Sequence, residues 1–79
     1  MNTPKIISVD PLAEKLLLVK FANGTEKFYD CNQLLQREMF QLLNNEAFFK
    51  GIKVDPGGYG ISWNDDVDRS EYELWEKGS

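Results

Sequence analysis

The sequence has no histidine and a single cysteine, Cys31, among its 79 residues. Without an imidazole, neither Cys31 nor any serine has the usual general base of a nucleophilic enzyme. One cysteine cannot form an internal disulfide, which favours a reducing compartment such as the cytoplasm. These scarcities argue against a histidine-dependent hydrolase and a disulfide-stabilised secreted fold, and they predict that Cys31 is a small buried residue.

Long apolar runs are missing as well. The longest, residues 16–19, falls far short of the roughly 20 apolar residues that a membrane-spanning helix needs. Residues 1–5 lack the apolar character of a signal peptide. We therefore expect a cytoplasmic protein with no membrane partner.

Basic residues are in the minority: 9 lysines and arginines stand against 13 aspartates and glutamates, a net charge of −4. Acids and bases balance up to Trp63. The whole excess follows it, where the acids are Asp65, Asp66, Asp68, Glu71, Glu73 and Glu76 and the bases are Arg69 and Lys77. A chain without a basic stripe is a poor candidate for direct nucleic-acid binding. Its acidic end better suits a small basic protein partner, and a weak homodimer is also compatible with the chain.

The clearest local signal is the pair Asn23-Gly24 between two apolar, β-favouring runs. This pattern predicts a β-hairpin with a type I′ turn, joining a strand over 16–21 to one over 25–30. The register that follows pairs Phe21 with Glu26, Val19 with Phe28, Leu17 with Asp30, and Lys20 with Lys27. One face then carries Leu17, Val19, Phe21 and Phe28, and the other carries a smaller patch of Leu16, Leu18 and Tyr29.

The remaining segments predict a small α+β domain spanning residues 1–79. A strand over 5–10, with Ile7 and Val9 on one side and Ile6 and Ser8 on the other, completes a three-stranded antiparallel meander. Residues 31–50 predict two or three short helical pieces, because apolar residues recur there at helical spacing: Leu34, Leu35, Met39, Leu42 and Leu43, with Phe40 beside them. Asp30 or Asn32 caps the first piece, Asn45 caps the last, and Gly51 ends it.

A second β-hairpin is predicted around the loop 56–58, followed by an acidic loop over 64–68. Ser70 and Glu73 fit the capping box of a short C-terminal helix. The predicted fold therefore has two layers, a β-sheet and the helices that pack against it.

Aromatic and acidic residues near the C-terminus are the only candidate site. We expect the four aromatic residues of this region to be shared evenly between the core and an interface: Tyr59, Trp63, Tyr72 and Trp75. Of these, Trp63 is favoured as a core residue and Trp75 as a surface residue. The candidate partner-binding surface comprises Tyr59, Asp65, Asp66, Asp68, Tyr72 and Trp75. The loop 64–68 lacks the glycine and the spacing of a calcium loop, so we predict no metal, no cofactor and no catalytic residue. The alternative is a small enzyme or metal-dependent domain that uses Asp55, Asp65, Asp66 and Asp68.

The order and spacing of several short motifs resemble a bacterial family of short proteins, domain-of-unknown-function family 2442. The motifs are Ile7-Ser8-Val9, residues 16–21 with Asn23-Gly24, Phe28-Tyr29-Asp30, Leu34-Leu35, residues 47–49 leading to 52–55, and residues 61–64 with Asp68. The chain departs from many relatives at Asp65-Asp66, where they have a glycine. The resemblance implies a compact α+β domain without known cofactor or catalytic residues. It also implies an antitoxin-like role, as one partner of a small two-gene toxin–antitoxin-type pair whose other member comes from an adjacent gene.

Overall fold

A computed structural model of the chain describes residues 3–79 and contains two three-stranded antiparallel sheets. The first sheet consists of β1 (Ile6–Pro11), β2 (Leu16–Phe21) and β3 (Glu26–Asp30), and the second of β4 (Lys53–Val54), β5 (Gly60–Ser62) and β6 (Asp68–Ser70). In each sheet the strands follow one another in chain order. The predicted α+β class is confirmed, while β6 adds a third strand to what was predicted as a hairpin followed by a loop.

The connection between β2 and β3 differs from the predicted type I′ turn. The Gly24 N–H donates to the Phe21 carbonyl over 3.0 Å, and the Phe21 N–H donates to the Thr25 carbonyl over 2.8 Å. Gly24 has a φ of 89°, whereas Asn23 is not in the left-handed region. This is a three-residue loop, a type I turn followed by a glycine bulge.

The longer loop shifts the predicted register by one residue, so that register is wrong. Leu17 lies opposite Tyr29, Leu18 opposite Phe28, and Lys20 opposite Glu26. Tyr29 therefore enters the core, whereas Phe28 is 48% exposed on the other face of the sheet. The observed register also replaces the unfavourable pairing of Lys20 with Lys27 by a pair of opposite charges.

A β-bulge between Ile6 and Ser8 also changes the predicted sides of β1. Ile6 lies opposite Phe21 and is buried, and Val9 lies opposite Val19 and packs against the core. Because the bulge inserts one extra residue between them, Ile6 and Val9 share a face. Ile7 is 64% exposed, so its predicted placement beside Val9 is wrong.

The helical segment consists mainly of 3₁₀ helix. Two 3₁₀ helices, Cys31–Gln36 and Glu38–Asn44, precede α1 (Glu46–Lys50). The 3₁₀ helix has three residues per turn, and the buried residues of the segment follow that period: Cys31, Leu34, Phe40, Leu43 and Phe49. The helical spacing of 3.6 residues grouped Met39 and Leu42 with Leu34 and Leu43 on one apolar side, but Met39 and Leu42 are exposed.

The caps of these helices follow the prediction. The Asp30 side chain accepts from the Asn32 N–H over 2.8 Å, and the Asn45 side chain accepts from the Phe48 N–H over 3.0 Å. Gly51 follows α1 with a φ of −82°, so it ends the helix without the left-handed conformation typical of a C′ glycine.

The last helix, α2 (Glu71–Lys77), begins at the predicted cap, where the Ser70 hydroxyl accepts from the Glu73 N–H. Leu74 of α2, Ile61 of β5 and Val67 join the residues of the first sheet in one core. The 3₁₀ turn Pro56–Gly58 between β4 and β5 lies so close to β1 that a Cβ atom at Gly58 would collide with the backbone of Ile6. Within residues 3–79, no helix has the length and apolar character needed to cross a membrane.

Candidate protein-binding surfaces

The acidic loop between β5 and β6 is a fixed hairpin tip. The Trp63 N–H donates to the Val67 carbonyl over 2.9 Å. The Asn64 side chain accepts from the N–H groups of Asp66 and Val67, each at 2.8 Å. Val67 is buried and anchors the tip in the core. The side chains of Asp65 and Asp66 are thereby held in solvent.

The negative charge of the C-terminal part is neutralised at some positions and open at others. Glu71 pairs with Lys5 over 2.9 Å, and Glu73 lies 3.8 Å from Arg69. Among residues 3–79, Asp65, Asp66 and Asp68 take part in no ion pair. Glu76 near the end of α2 is also exposed and forms no ion pair within the described residues. The largest group of uncompensated acids therefore lies at the β5–β6 hairpin, and we call it the acidic tip (Asp65, Asp66 and Asp68).

The exposed tyrosines lie at the opposite end of β5. Tyr59 is 62% exposed and Tyr72 is 54% exposed. The Tyr59 carbonyl accepts from the Glu71 N–H over 3.0 Å, which places both tyrosines beside the start of α2. Tyr59 precedes β5 and Asp65 follows it, so they are separated by at least the length of this three-residue strand, roughly 10 Å. The structure does not gather the six predicted residues into one patch.

The Tyr59 ring belongs to a small polar cluster with Lys5 and Glu71. The Lys5 ammonium lies 4.1 Å from the centroid of the Tyr59 ring while it pairs with Glu71 Oε1. The other carboxylate oxygen of Glu71, Oε2, is buried and has no hydrogen-bond partner within the described part of the chain. The cluster joins the segment before β1 to the N-terminus of α2.

Both tryptophans are half-buried and have structural contacts. Trp75 packs edge-on against Phe21 with ring centroids 5.0 Å apart, and the Lys27 ammonium lies 4.1 Å from the Trp75 ring. Trp63 stacks on Phe49, and its indole N–H donates to the Phe49 carbonyl over 2.9 Å. Trp75 was predicted to lie on the surface, but it is half-buried because its ring packs against Phe21 and Lys27 of the first sheet.

The acids of the metal-dependent alternative occupy separate positions. Asp55 is half-buried, and its Oδ1 accepts from the Ser62 hydroxyl over 2.7 Å. Asp68 begins β6, where it lies opposite Ser62 of β5, and Asp65 and Asp66 lie in the loop before it. Across residues 3–79 no three histidine, cysteine, aspartate or glutamate side chains are grouped closely enough to hold a metal ion, and no pocket is present there.

Cys31 lies fully buried at the start of the first 3₁₀ helix. Burial, with a smaller contribution from the charge of the nearby Asp30, raises the pKa of its thiol to about 12. The thiolate is the nucleophilic form of cysteine, so at neutral pH Cys31 is an uncharged core residue, as the sequence predicts.

The second apolar patch, predicted to comprise Leu16, Leu18 and Tyr29, has a different composition in the structure, because Phe28 takes the place of Tyr29 opposite Leu18 and Leu12 joins it. On the side of the first sheet that faces away from the core lie the exposed Leu12 and Phe28 and the half-buried Leu16 and Leu18, and we call this group the outer sheet face. The one-residue register error placed Phe28 in the core. The unfavourable Lys20–Lys27 pairing in that register was the available signal against it.

Comparison with known families matches residues 6–78 to a family described as "Protein of unknown function (DUF2442)". The match covers the chain except for its first five residues and its last. No curated protein and no solved structure matched the sequence.

Proposed function

Because the chain belongs to the DUF2442 family, whose description names no activity, we propose from its surface that it is a non-catalytic protein-binding module. Its partner is a small basic protein encoded by an adjacent gene. The pair resembles a toxin–antitoxin system in which this chain is the antitoxin-like member, acting in the bacterial cytoplasm.

The acidic tip is the observation that supports this proposal. Asp65 and Asp66 are exposed on a loop whose backbone is fixed by Asn64 and whose base is anchored by Val67. A fixed group of like charges without internal partners attracts opposite charge on a partner and loses little side-chain or loop freedom on binding. Such electrostatic attraction is screened by salt, with a Debye length of about 10 Å at 0.1 M.

The test is co-purification of this protein with the product of the neighbouring gene at low salt. We expect a complex that weakens as the salt concentration rises. The double variant Asp65→Asn/Asp66→Asn should weaken it further. The matched control is Glu14→Gln/Glu38→Gln, which removes the same charge from two exposed acids outside the tip and should leave binding unchanged. The proposal would be refuted if no complex forms at low salt. It would also be refuted if the affinity of the complex changes neither with salt concentration nor with the Asp65→Asn/Asp66→Asn substitution.

A further inference from the structure

The outer sheet face forms an apolar stripe across all three strands of the first sheet. The Leu12 N–H donates to the Leu16 carbonyl over 2.7 Å, so Leu12 extends the β1 register beside β2. Leu18 on β2 lies opposite Phe28 on β3. Adjacent strands lie about 4.8 Å apart, so the stripe is roughly 10 Å wide between β1 and β3.

The helices pack on the opposite side of this sheet. Tyr29 contacts Glu73 of α2 through its hydroxyl, and Phe21 contacts Trp75 through its ring. Both Tyr29 and Phe21 belong to the buried face. An antiparallel sheet with one face on the core normally presents polar residues on the other. Here that other face is apolar at its centre, which is typical of an interaction site.

The charges around the stripe indicate the chemistry of the partner. Asp10 lies opposite Leu18, Asp30 lies opposite Leu16, and Glu26 lies opposite Lys20. Three acids and one base thus border the apolar stripe. None of the four forms an ion pair within residues 3–79, so the rim as a whole attracts positive charge.

We propose that the outer sheet face docks a basic amphipathic helix of the partner protein. An α-helix with its side chains is about 10–12 Å across, which matches the width of the stripe. A helix laid on an open sheet face is also a standard way to bury that face. Apolar side chains of this helix, such as leucine, contact Leu18 and Phe28. The lysines or arginines of the helix lie against Asp10 and Asp30. This inference deepens the proposed function and rests on it for the basic character of the partner.

The test uses the ¹⁵N-labelled protein and a synthetic helical peptide of leucine and lysine, followed by NMR. The comparison peptide has the same pattern with glutamate in place of lysine. The variant Leu12→Gln/Phe28→Gln changes two exposed residues of the stripe. Its matched control, Met39→Gln/Leu42→Gln, changes two somewhat more exposed apolar residues on the 3₁₀ helix Glu38–Asn44. Dispersed spectra of both variants establish that they are folded.

We expect saturable shifts at the amides of Leu16, Leu18 and Phe28 with the lysine peptide and none with the glutamate peptide. The stripe variant should bind about tenfold more weakly, and the control should bind like the parent. Shifts confined to the acidic tip or to Met39 and Leu42, equal binding of both peptides, or no shifts at all would overturn the inference. Shifts at the stripe that grow with protein concentration alone would assign the face to a second copy of this chain instead.

The two proposals fail in different ways. If the lysine peptide binds the stripe but the neighbouring gene product does not co-purify, the proposed partner is wrong and the docking face stands. If the neighbour co-purifies equally well with the Leu12→Gln/Phe28→Gln variant, the docking face is wrong and the proposed function stands.

Discussion

The hydroxyl of Tyr29 on β3 donates a hydrogen bond to the carboxylate of Glu73 on α2 over 3.1 Å. Tyr29 is fully buried, and Glu73 also lies beside Arg69, the central residue of β6. The pair therefore joins the first sheet, the second sheet and the last helix at one point. Because the shifted hairpin register brings Tyr29 into the core, this link depends on the turn at Gly24.

Tyr29→Phe should lower the free energy of unfolding by about 1–2 kcal/mol, since hydrogen bonds to charged groups contribute roughly 1.5–3 kcal/mol and the partial exposure of Glu73 reduces this contribution. The ring remains in place, so the loss reports the hydroxyl alone. Urea denaturation measures it. Tyr72→Phe is the control, because its side chain is exposed and should leave stability unchanged. Equal midpoints for Tyr29→Phe and the parent would mean that the hydrogen bond contributes nothing.

Stability should fall at alkaline pH because two buried groups hold their protons more tightly in the folded state. Burial, followed by the charge of Glu73, raises the pKa of Tyr29 from 10.0 to about 12, and burial raises the pKa of Cys31 from 9.0 to about 12. A folded-state pKa above the unfolded value gives stability that is complete below the unfolded pKa and is lost as the pH rises through the folded one. The loss therefore begins near pH 9 with Cys31 and continues toward pH 12.

Urea midpoints measured between pH 8 and about 11 test this loss. Cys31→Ala and Tyr29→Phe should each flatten the decline, although both lower stability at pH 8. Tyr72→Phe should keep the parent slope. An undiminished slope in the Cys31→Ala variant would show that this thiol does not contribute to the pH dependence.

Local turn chemistry predicts that the first hairpin exists but not its register. Both a two-residue type I′ loop and a three-residue loop with a glycine bulge accept Asn followed by Gly. The choice between them shifts the pairing by one residue, which exchanges the faces of Phe28 and Tyr29. Only the cross-strand charge pairs distinguish the two registers in the sequence, and they are a weak signal beside the turn itself.

The other differences arise where tertiary packing determines the local structure. The spacings from Leu35 to Met39 and from Met39 to Leu42 are four and three residues, which fits an α-helix, whereas a 3₁₀ helix buries every third residue, such as Phe40 and Leu43. The exposure of Leu42 therefore depends on which helix forms, and the spacing alone does not reveal that. The strand β6, Asp68–Ser70, is polar and has no alternating apolar residues to mark it. It forms because β5 offers an edge. The acidic tip is visible in the sequence, whereas its separation from Tyr59 follows from the length of β5.

Gly24→Val should lower the urea midpoint clearly, by the equivalent of about 1–3 kcal/mol. Gly24 has a φ of 89°, and a Cβ there would meet no atom within 4 Å. The cost is therefore one of backbone conformation, which is highest for a β-branched residue. Gly24→Asn should lose less, because asparagine tolerates positive φ. Similar losses for both variants would indicate that side-chain contacts, not φ, limit this position.

Asn23→Asp should stay close to the parent in the same measurement. The Asn23 side-chain oxygen accepts from the Thr25 N–H over 3.0 Å, and a carboxylate can accept the same bond. Asn23→Ala removes the acceptor and should be the less stable of the two. Equal stability of Asn23→Ala and the parent would show that this bond does not support the loop.

The turn between β1 and β2 predicts a substitution that stabilises the protein. Glu14 and Lys15 have φ values of 60° and 64°, and the Leu16 N–H closes the turn on the Ala13 carbonyl. Two consecutive left-handed residues are the geometry of a type I′ turn, which favours Asn-Gly over Glu-Lys. The Lys15 side chain contacts Glu46 and the Phe49 ring, so replacing Lys15 would remove these contacts. Glu14, in contrast, is exposed and forms no ion pair among residues 3–79.

Glu14→Asn should therefore raise the free energy of unfolding by about 0.5–1 kcal/mol, because a left-handed residue other than glycine or asparagine costs roughly 1–2 kcal/mol. The Glu14 carbonyl, which accepts from the Asn32 side chain over 2.8 Å, is unaffected by the change. Urea denaturation at neutral pH measures the gain. The control Glu38→Asn removes the same charge from an exposed residue with negative φ and should give no gain. A gain shared by both variants would assign the effect to net charge, and a loss at Glu14 alone would mean that its side chain supports the turn.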